Sequence, residues 1–323
     1  MIQPTRRMLL LAVAAFTVAS AAAQAQSDKP IRFILPNATG SGVDAITRAA
    51  QPALAKALGH PIVVDNQPGA GGIVGLQALA KSAPDGFTLS VVSNNVVILP
   101  SVYKTVPFDM PGEFTPIAIV GATPIVLVVN PAKVPAKDHK EFAALLKSKP
   151  DHYTYGSGGN GTILHLTGEQ YVGEVGAKAR HIPYKGVGPF VTDLIGGQID
   201  FGTLALPSVQ QHIKSGALRA IGVGGAKRTA AAPDIPTIAE QGAPNYVVDA
   251  WFAVIGPKGM AAADVKRVHD AVTAAFADPA VREAMDKQGN TIAVSTTEFA
   301  QTYFRTEKDK YAKLVKSAGI ELQ

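Results

Sequence analysis

Two stretches of small residues carry the chain's clearest chemistry. Pro36-Asn37-Ala38-Thr39-Gly40-Ser41-Gly42 follows the apolar run Ile31-Arg32-Phe33-Ile34-Leu35 and leads into a helical pattern from Val43. Gly156-Ser157-Gly158-Gly159-Asn160-Gly161-Thr162 follows Tyr153-Thr154-Tyr155 and leads into a second helical pattern from Ile163. A helix N-terminus leaves N–H groups unpaired and carries about half a positive charge, so it attracts anions without any Lys or Arg. Neither loop contains a cation. Glycine allows a ligand to approach the backbone closely. Two such loops facing each other across a cleft can hold one small anion between them. Ser93, Asn94 and Thr203 end neighbouring strand patterns and could complete a polar lining. The candidate ligand-binding residues are therefore Asn37, Ala38, Thr39, Gly40, Ser41, Gly42, Ser93, Asn94, Ser157, Gly158, Gly159, Asn160, Gly161, Thr162 and Thr203. Ser157 and Thr162 are expected to add hydroxyls to the backbone donors, and Lys185 to face solvent.

Other chemistries fit less well. Gly40-x-Gly42-x-x-Ala45, with Asp65 near the end of the next strand pattern, imitates a dinucleotide fingerprint. An exported nucleotide-dependent oxidoreductase is thus the enzyme alternative. Four residues separate the strand from Gly40, where the fingerprint needs its tight turn almost at once. Asp44 reads as a first-turn carboxylate. The seven histidines stand at 60, 139, 152, 165, 181, 212 and 269, with no metal-binding spacing among them. His165 reads as a partly buried helix residue with a satisfied ring. Ser157 is not a nucleophile elbow, because Tyr155 holds the first glycine position. The chain has no cysteine, which excludes disulfides, thiol nucleophiles and Cys-based zinc sites. No metal and no cofactor is expected.

Residues 1–25 read as a secretory signal peptide. Arg6 and Arg7 form its basic start, Met8 to Ala23 its apolar stretch, and Ala23-Gln24-Ala25 a small-x-small cleavage site. Cleavage after Ala25 leaves 298 of the 323 residues, a length suited to about two domains. The arginine pair also fits the twin-arginine route. Hydrophobic residues make up 47% and charged residues 17%, as in a globular protein. The formal charge of +5 falls to +3 without the two leader arginines. No basic stripe with interleaved aromatics occurs, so nucleic acid is not an expected partner.

Strand and helix patterns alternate along the rest. Ile62 to Asp65, Thr88 to Val92, Ile125 to Val129, Ala217 to Val223 and Trp251 to Ile255 read as strands. Ile73 to Lys81, Lys137 to Lys149, Pro189 to Gly196, Ala262 to Ala277, Ala280 to Gln288 and Thr297 to Ala318 read as helices. This predicts an α/β protein with mostly parallel sheets flanked by helices. Chain crossings near Ala122-Thr123-Pro124 and before Trp251 predict two lobes joined by a hinge. Residues 26–123 plus 250–323 would form the first and 124–249 the second.

The motifs together resemble the Bug family, the extracytoplasmic solute receptors of tripartite tricarboxylate transporters. The resemblance rests on Gly40-Ser41-Gly42-Val43-Asp44, Val64-Asp65-Asn66-Gln67-Pro68-Gly69-Ala70-Gly71-Gly72 and Ala83-Pro84-Asp85-Gly86-Phe87. It rests further on Tyr155-Gly156-Ser157-Gly158-Gly159-Asn160-Gly161-Thr162, Pro183-Tyr184-Lys185-Gly186, Gly196-Gly197-Gln198-Ile199-Asp200 and Asp234-Ile235-Pro236-Thr237. It spans the mature chain. It implies a two-lobe periplasmic-binding-protein fold and a non-enzymatic, periplasmic receptor, expected to act as a monomer. The implied ligand is a small organic carboxylate, dicarboxylate or aromatic, held mainly by backbone N–H groups of the two loops. The implied partners are the transporter's membrane subunits, with a sensor as the alternative. Asn37 stands where the family commonly has Phe, and Thr203-Leu204 where Phe-Asp is common.

Overall fold

The computed structural model describes residues 29–320 and Leu322; the leader and its cleavage site lie outside the described residues. Strands and helices alternate through β1 (Ile31–Leu35), α1 (Gly42–Leu58), β2 (Ile62–Asn66), α2 (Ile73–Ala80), β3 (Thr88–Ser93) and α3 (Asn95–Val102). Next come β4 (Phe114–Val129), α4 (His139–Ser148), β5 (Thr154–Ser157), α5 (Ile163–Glu174), β6 (Arg180–Pro183) and α6 (Val187–Ile195). Then follow β7 (Phe201–Ala205), α7 (Leu206–Lys214), β8 (Arg219–Val223) and β9 (Asp249–Pro257). The last elements are α8 (Ala262–Ala277), α9 (Pro279–Lys287), β10 (Thr291–Ile292) and α10 (Thr297–Ser317).

The strands run in the order β2-β1-β3-β9-β4-β7-β5-β6, with β8 and β10 also paired to β4. The outer ladders, β1 with β2 and β3 and β5 with β6 and β7, are parallel, as βα alternation requires. Around β4 and β9 the pairing is antiparallel. β4 is the common member. Its residues Phe114–Pro124 pair with β9, and Ile125–Val129 pair with β7 and β8.

The composition predicts a strand only from Ile125, yet β4 runs unbroken for 16 residues. Pro116 and Pro124 hide its first part, since proline cannot donate to a ladder and argues against a central strand. The ladder with β9 absorbs Pro116 by a register shift between Pro116 and Ala118.

The core has two clusters. One gathers Ile31, Phe33 and Leu35 of β1, Ile46, Ala50 and Leu54 of α1, and Val268, Val272 and Phe276 of α8. Helix α1 forms because its apolar residues recur three and four positions apart and its ends are capped. Ser41 Oγ accepts the Asp44 amide at the start, and Gly59 ends the helix in the left-handed region with φ +71°. The second cluster joins α3, the far half of β4, β5, β7, α5 and the inner face of α10, including Phe304, Tyr311 and Val315. It fixes the roots of the second glycine-rich loop.

Candidate functional site

The first loop already holds a carboxylate of its own. Buried Asp44 accepts the Gly40 amide at 2.9 Å, Arg48 Nε at 2.8 Å and Asn66 Nδ2 at 3.0 Å. Burial alone would raise its pKa, but these hydrogen bonds prevail and hold it below the ordinary 3.8. Asn66 Nδ2 also donates to the Asn37 carbonyl at 3.1 Å, which ties the loop to the end of β2. Ala38, Thr39, Gly40 and Gly42 are exposed, while Asn37 and Ser41 are half-buried. The amides of Ala38, Thr39, Gly42 and Val43 meet no acceptor among the described residues.

Behind this loop lies Gly69-Ala70-Gly71-Gly72, four successive residues with φ of +142°, +44°, +67° and +114°. The backbones are close here: a Cβ on Gly75 would stand 2.9 Å from the Pro36 Cα. This segment rests on α3 in turn, with Gly71 against Leu99 and Tyr103.

Helix α3 reaches the second loop. Asn95 Oδ1 accepts the Ile163 amide at 2.9 Å, and a Cβ on Gly161 would lie 2.6 Å from Val102 Cγ2. Gly161 also has φ +68°, so both space and backbone require glycine there. No hydrogen bond joins residues 37–42 to 157–162 among the described residues; the second loop touches α3 directly, and the Gly69–Gly72 segment behind the first rests on it.

Most polar groups of the second loop are engaged within it. Ser157, which the sequence places in the loop, is the last residue of β5 and fully buried. Its Oγ accepts the Gly159 amide at 3.1 Å and lies 2.7 Å from His181 Nε2. Thr162 Oγ1 donates to the Gly159 carbonyl at 2.8 Å and caps α5 by accepting the His165 amide at 3.4 Å. The Gly161 amide donates to His165 Nδ1 at 3.1 Å. The amides of Gly158, Asn160 and Leu164 have no acceptor among the described residues. These are the unpaired donors around the N-terminus of α5.

The remaining candidates separate. Thr203 is fully buried, donating to the Leu164 carbonyl at 2.9 Å with Thr167 Oγ1 at 2.6 Å, so its hydroxyl joins β7 to α5. Asn94 is fully buried too, with Nδ2 on Tyr311 Oη at 2.8 Å and its Oδ1 unpartnered. Ser93 is buried at the end of β3 opposite Phe252. Asn160 is exposed at the loop tip, and Lys185 is exposed.

Asp65, the acid of the imitated fingerprint, is engaged. Arg32 Nε donates to it at 2.9 Å and Gln67 Nε2 at 3.0 Å, and these bonds lower its pKa against the effect of burial. It is not free for a ribose. A shallow pocket among Phe114, Thr115, Lys258 and Arg305 shares no residue with either loop.

Sequence reasoning missed Asn95, His165 and His181 as parts of the site. His165 is buried with a satisfied ring, as expected, but its partner is the ligand loop itself. Its spacing, four residues after Gly161 and three after the capping Thr162, is the signal that could have shown this.

Comparison with known proteins points in one direction. Residues 46–320 match the model of the tripartite tricarboxylate transporter family receptor. Protein BugT of Bordetella pertussis is 34% identical over 97% of this chain and 98% of its own. The solved periplasmic binding protein BugD superposes with a TM-score of 0.82 at 30% identity, over 91% of this chain and 99% of that one. An R. palustris protein solved with adipate has a TM-score of 0.84 at 25% identity, covering 91% and 98%. MatC from Rhodopseudomonas palustris, with bound malate, gives 0.79 at 25%, covering 88% and 98%.

Proposed function

This chain belongs to the tripartite tricarboxylate transporter receptor family, a family of solute-binding proteins and not of enzymes, and from that premise we propose that it is a periplasmic receptor for a small dicarboxylate. The ligand is gripped between two lobes and delivered to the membrane subunits of a tripartite transporter. In this reading the described residues up to 123 and from 250 on belong to one lobe and 124–249 to the other. On this reading the chain passes between the lobes within β4 and again at the start of β9.

The observation that carries this reading is the pair of cation-free loops at the starts of α1 and α5, each with unpartnered amides beside a helix N-terminus. Such donors suit a carboxylate, and two of them set apart suit a molecule with a carboxylate at each end. Adipate and malate in two relatives are of that kind. Helix α3 touches the second loop through Asn95, and its Leu99 supports the Gly69–Gly72 segment behind the first, so lobe closure would bring both sets of donors to one ligand. Among the described residues no helix is long and apolar enough to cross a membrane, consistent with a receptor that meets its transporter from outside.

Calorimetry of the mature chain with malate, adipate and the neutral diamide of adipate tests the reading. A dicarboxylate should bind and the diamide should not. Small-angle scattering should show a smaller radius of gyration at saturation. Equal binding of the diamide would remove the anion site, and an unchanged radius at saturation would remove the closing lobes.

A further inference from the structure

Beneath the second loop lies a cluster of titratable groups that carboxylate binding does not itself require. The rings of His165 and His181 are stacked, with centroids 3.8 Å apart and planes 11° from parallel. His165 Nε2 lies 3.7 Å from Glu169 Oε1, and the same oxygen accepts the Tyr155 hydroxyl. His181 Nε2 meets Ser157 Oγ, which accepts the Gly159 amide. His165 Nδ1 accepts the Gly161 amide. Each histidine therefore holds one glycine of the loop, His165 directly and His181 through Ser157.

We propose that His165 is a positioning residue for ligand binding: its neutral ring orients the Gly161 peptide, and protonation releases the loop. The proposal rests on the reading of residues 157–162 as a ligand loop. A ring nitrogen that accepts a hydrogen bond carries no proton, so His165 holds its hydrogen on Nε2, towards Glu169. A second proton puts a donor on Nδ1, facing the N–H of Gly161. The bond is then lost and two donors confront each other. Gly161 has no side chain to anchor it elsewhere, whereas Gly159 stays tied to Ser157 and Thr162.

Two stacked imidazoles so close do not both accept a charge, and Glu169 stands nearest the Nε2 of His165. The groups facing the pair are Glu169 from α5, Tyr155 and Ser157 from β5 and each ring from its own element. No Lys or Arg is hydrogen-bonded to any of them among the described residues. Burial, then the neighbouring His165, lower the His181 pKa to about 4, which keeps that ring neutral when the pair takes its first proton. Glu169 stays ionised: its bonds from His165 and Tyr155 outweigh the effect of burial and lower its pKa.

The test combines nitrogen-resolved NMR of the free protein with calorimetry, using adipate as the probe, from pH 8 to pH 5.5. The Gly161 amide and the His165 ring should titrate together. Adipate affinity of the wild type should fall at least tenfold across the range. His165→Asn offers an acceptor near the Nδ1 position and no titrating proton, so it should bind at pH 8 and lose only what adipate's own protonation removes. His165→Phe, with no acceptor, should bind weakly at every pH. A Gly161 amide that ignores protonation of His165, or a His165→Asn profile as steep as the wild type, would overturn the proposal. Failure of adipate to bind at any pH while Gly161 still titrates with His165 would support the positioning role and count against the dicarboxylate reading alone.

Discussion

At the scale of single residues, hydroxyls and imidazoles that could be given to a ligand are engaged in holding the second glycine-rich loop. The residue types around Ser157 and Thr162 suggest direct contacts, and a hydroxyl on a glycine loop is legible in sequence as a donor. Its partner is not legible. Thr162 bonds the Gly159 carbonyl, and Ser157 meets a histidine 24 positions away on β6. Only the pairing of β5 with β6, Tyr155 opposite His181, brings that ring under the loop. His181 also makes stability depend on pH. Its folded-state pKa of about 4 lies below the ordinary 6.5, so the unfolded chain binds the proton first as pH falls. Stability is unaffected above pH 6.5, declines below it and reaches its full loss near pH 4. The ring is only partly buried, so solvent screens the effect to about 1–2 kcal/mol. Urea unfolding of wild type and His181→Phe at pH 7 and pH 4.5 checks the sign. The wild type should lose more stability than the variant, and equal losses would assign the acid sensitivity elsewhere.

At the scale of elements, local pattern fixes most of the fold that positions the site. β1 and α8 occupy Ile31–Leu35 and Ala262–Ala277, the ranges that periodicity marks, and α5 starts at Ile163 as the glycine-rich stretch before it implies. Helix α3 escapes notice because Val96-Val97-Ile98-Leu99 is apolar on every side and Pro100 argues against a helix interior, so no helical period shows. The helix exists because tertiary contacts override that propensity: Val96 to Leu99 are all buried, and the helix packs against α10 and β3. Its last residue sets the limit on the second loop. Gly161→Ala would bring a Cβ within 2.6 Å of Val102 Cγ2 and place a side chain at φ +68°. The backbone cost is about 1–2 kcal/mol and the overlap adds about 1–3. Adding Val102→Ala should recover the overlap and not the backbone cost. A double-mutant cycle by chemical denaturation should therefore give partial rescue. No rescue would mean that α3 and the loop are not in contact in solution.

At the scale of the whole molecule, β4 is the element on which closure would turn, and its crossing region carries an unusual defect. Thr123 Oγ1 and Asn94 Oδ1 are buried without a partner, one on β4 just before Pro124 and the other at the end of β3. Asn94 Nδ2 donates to the carbonyl of Asp249, the β9 residue paired with Pro124, so the two defects share one neighbourhood. An unsatisfied buried acceptor or hydroxyl costs about 1–3 kcal/mol. Bending that admits water here should relieve such a cost, so the pair is expected to favour the more open form of the proposed two-lobe receptor. A receptor that must release its ligand gains from such a bias, because a ligand shifts the equilibrium only by its differential affinity for the two forms. Thr123→Val keeps the branched shape and removes the hydroxyl. It should raise stability by about 1 kcal/mol, read by denaturation, and shrink the radius of gyration of the ligand-free protein towards that of the liganded one. Loss of stability would show that the hydroxyl is paired in solution. Gained stability with an unchanged radius would separate the defect from hinge motion and leave closure to the loops alone.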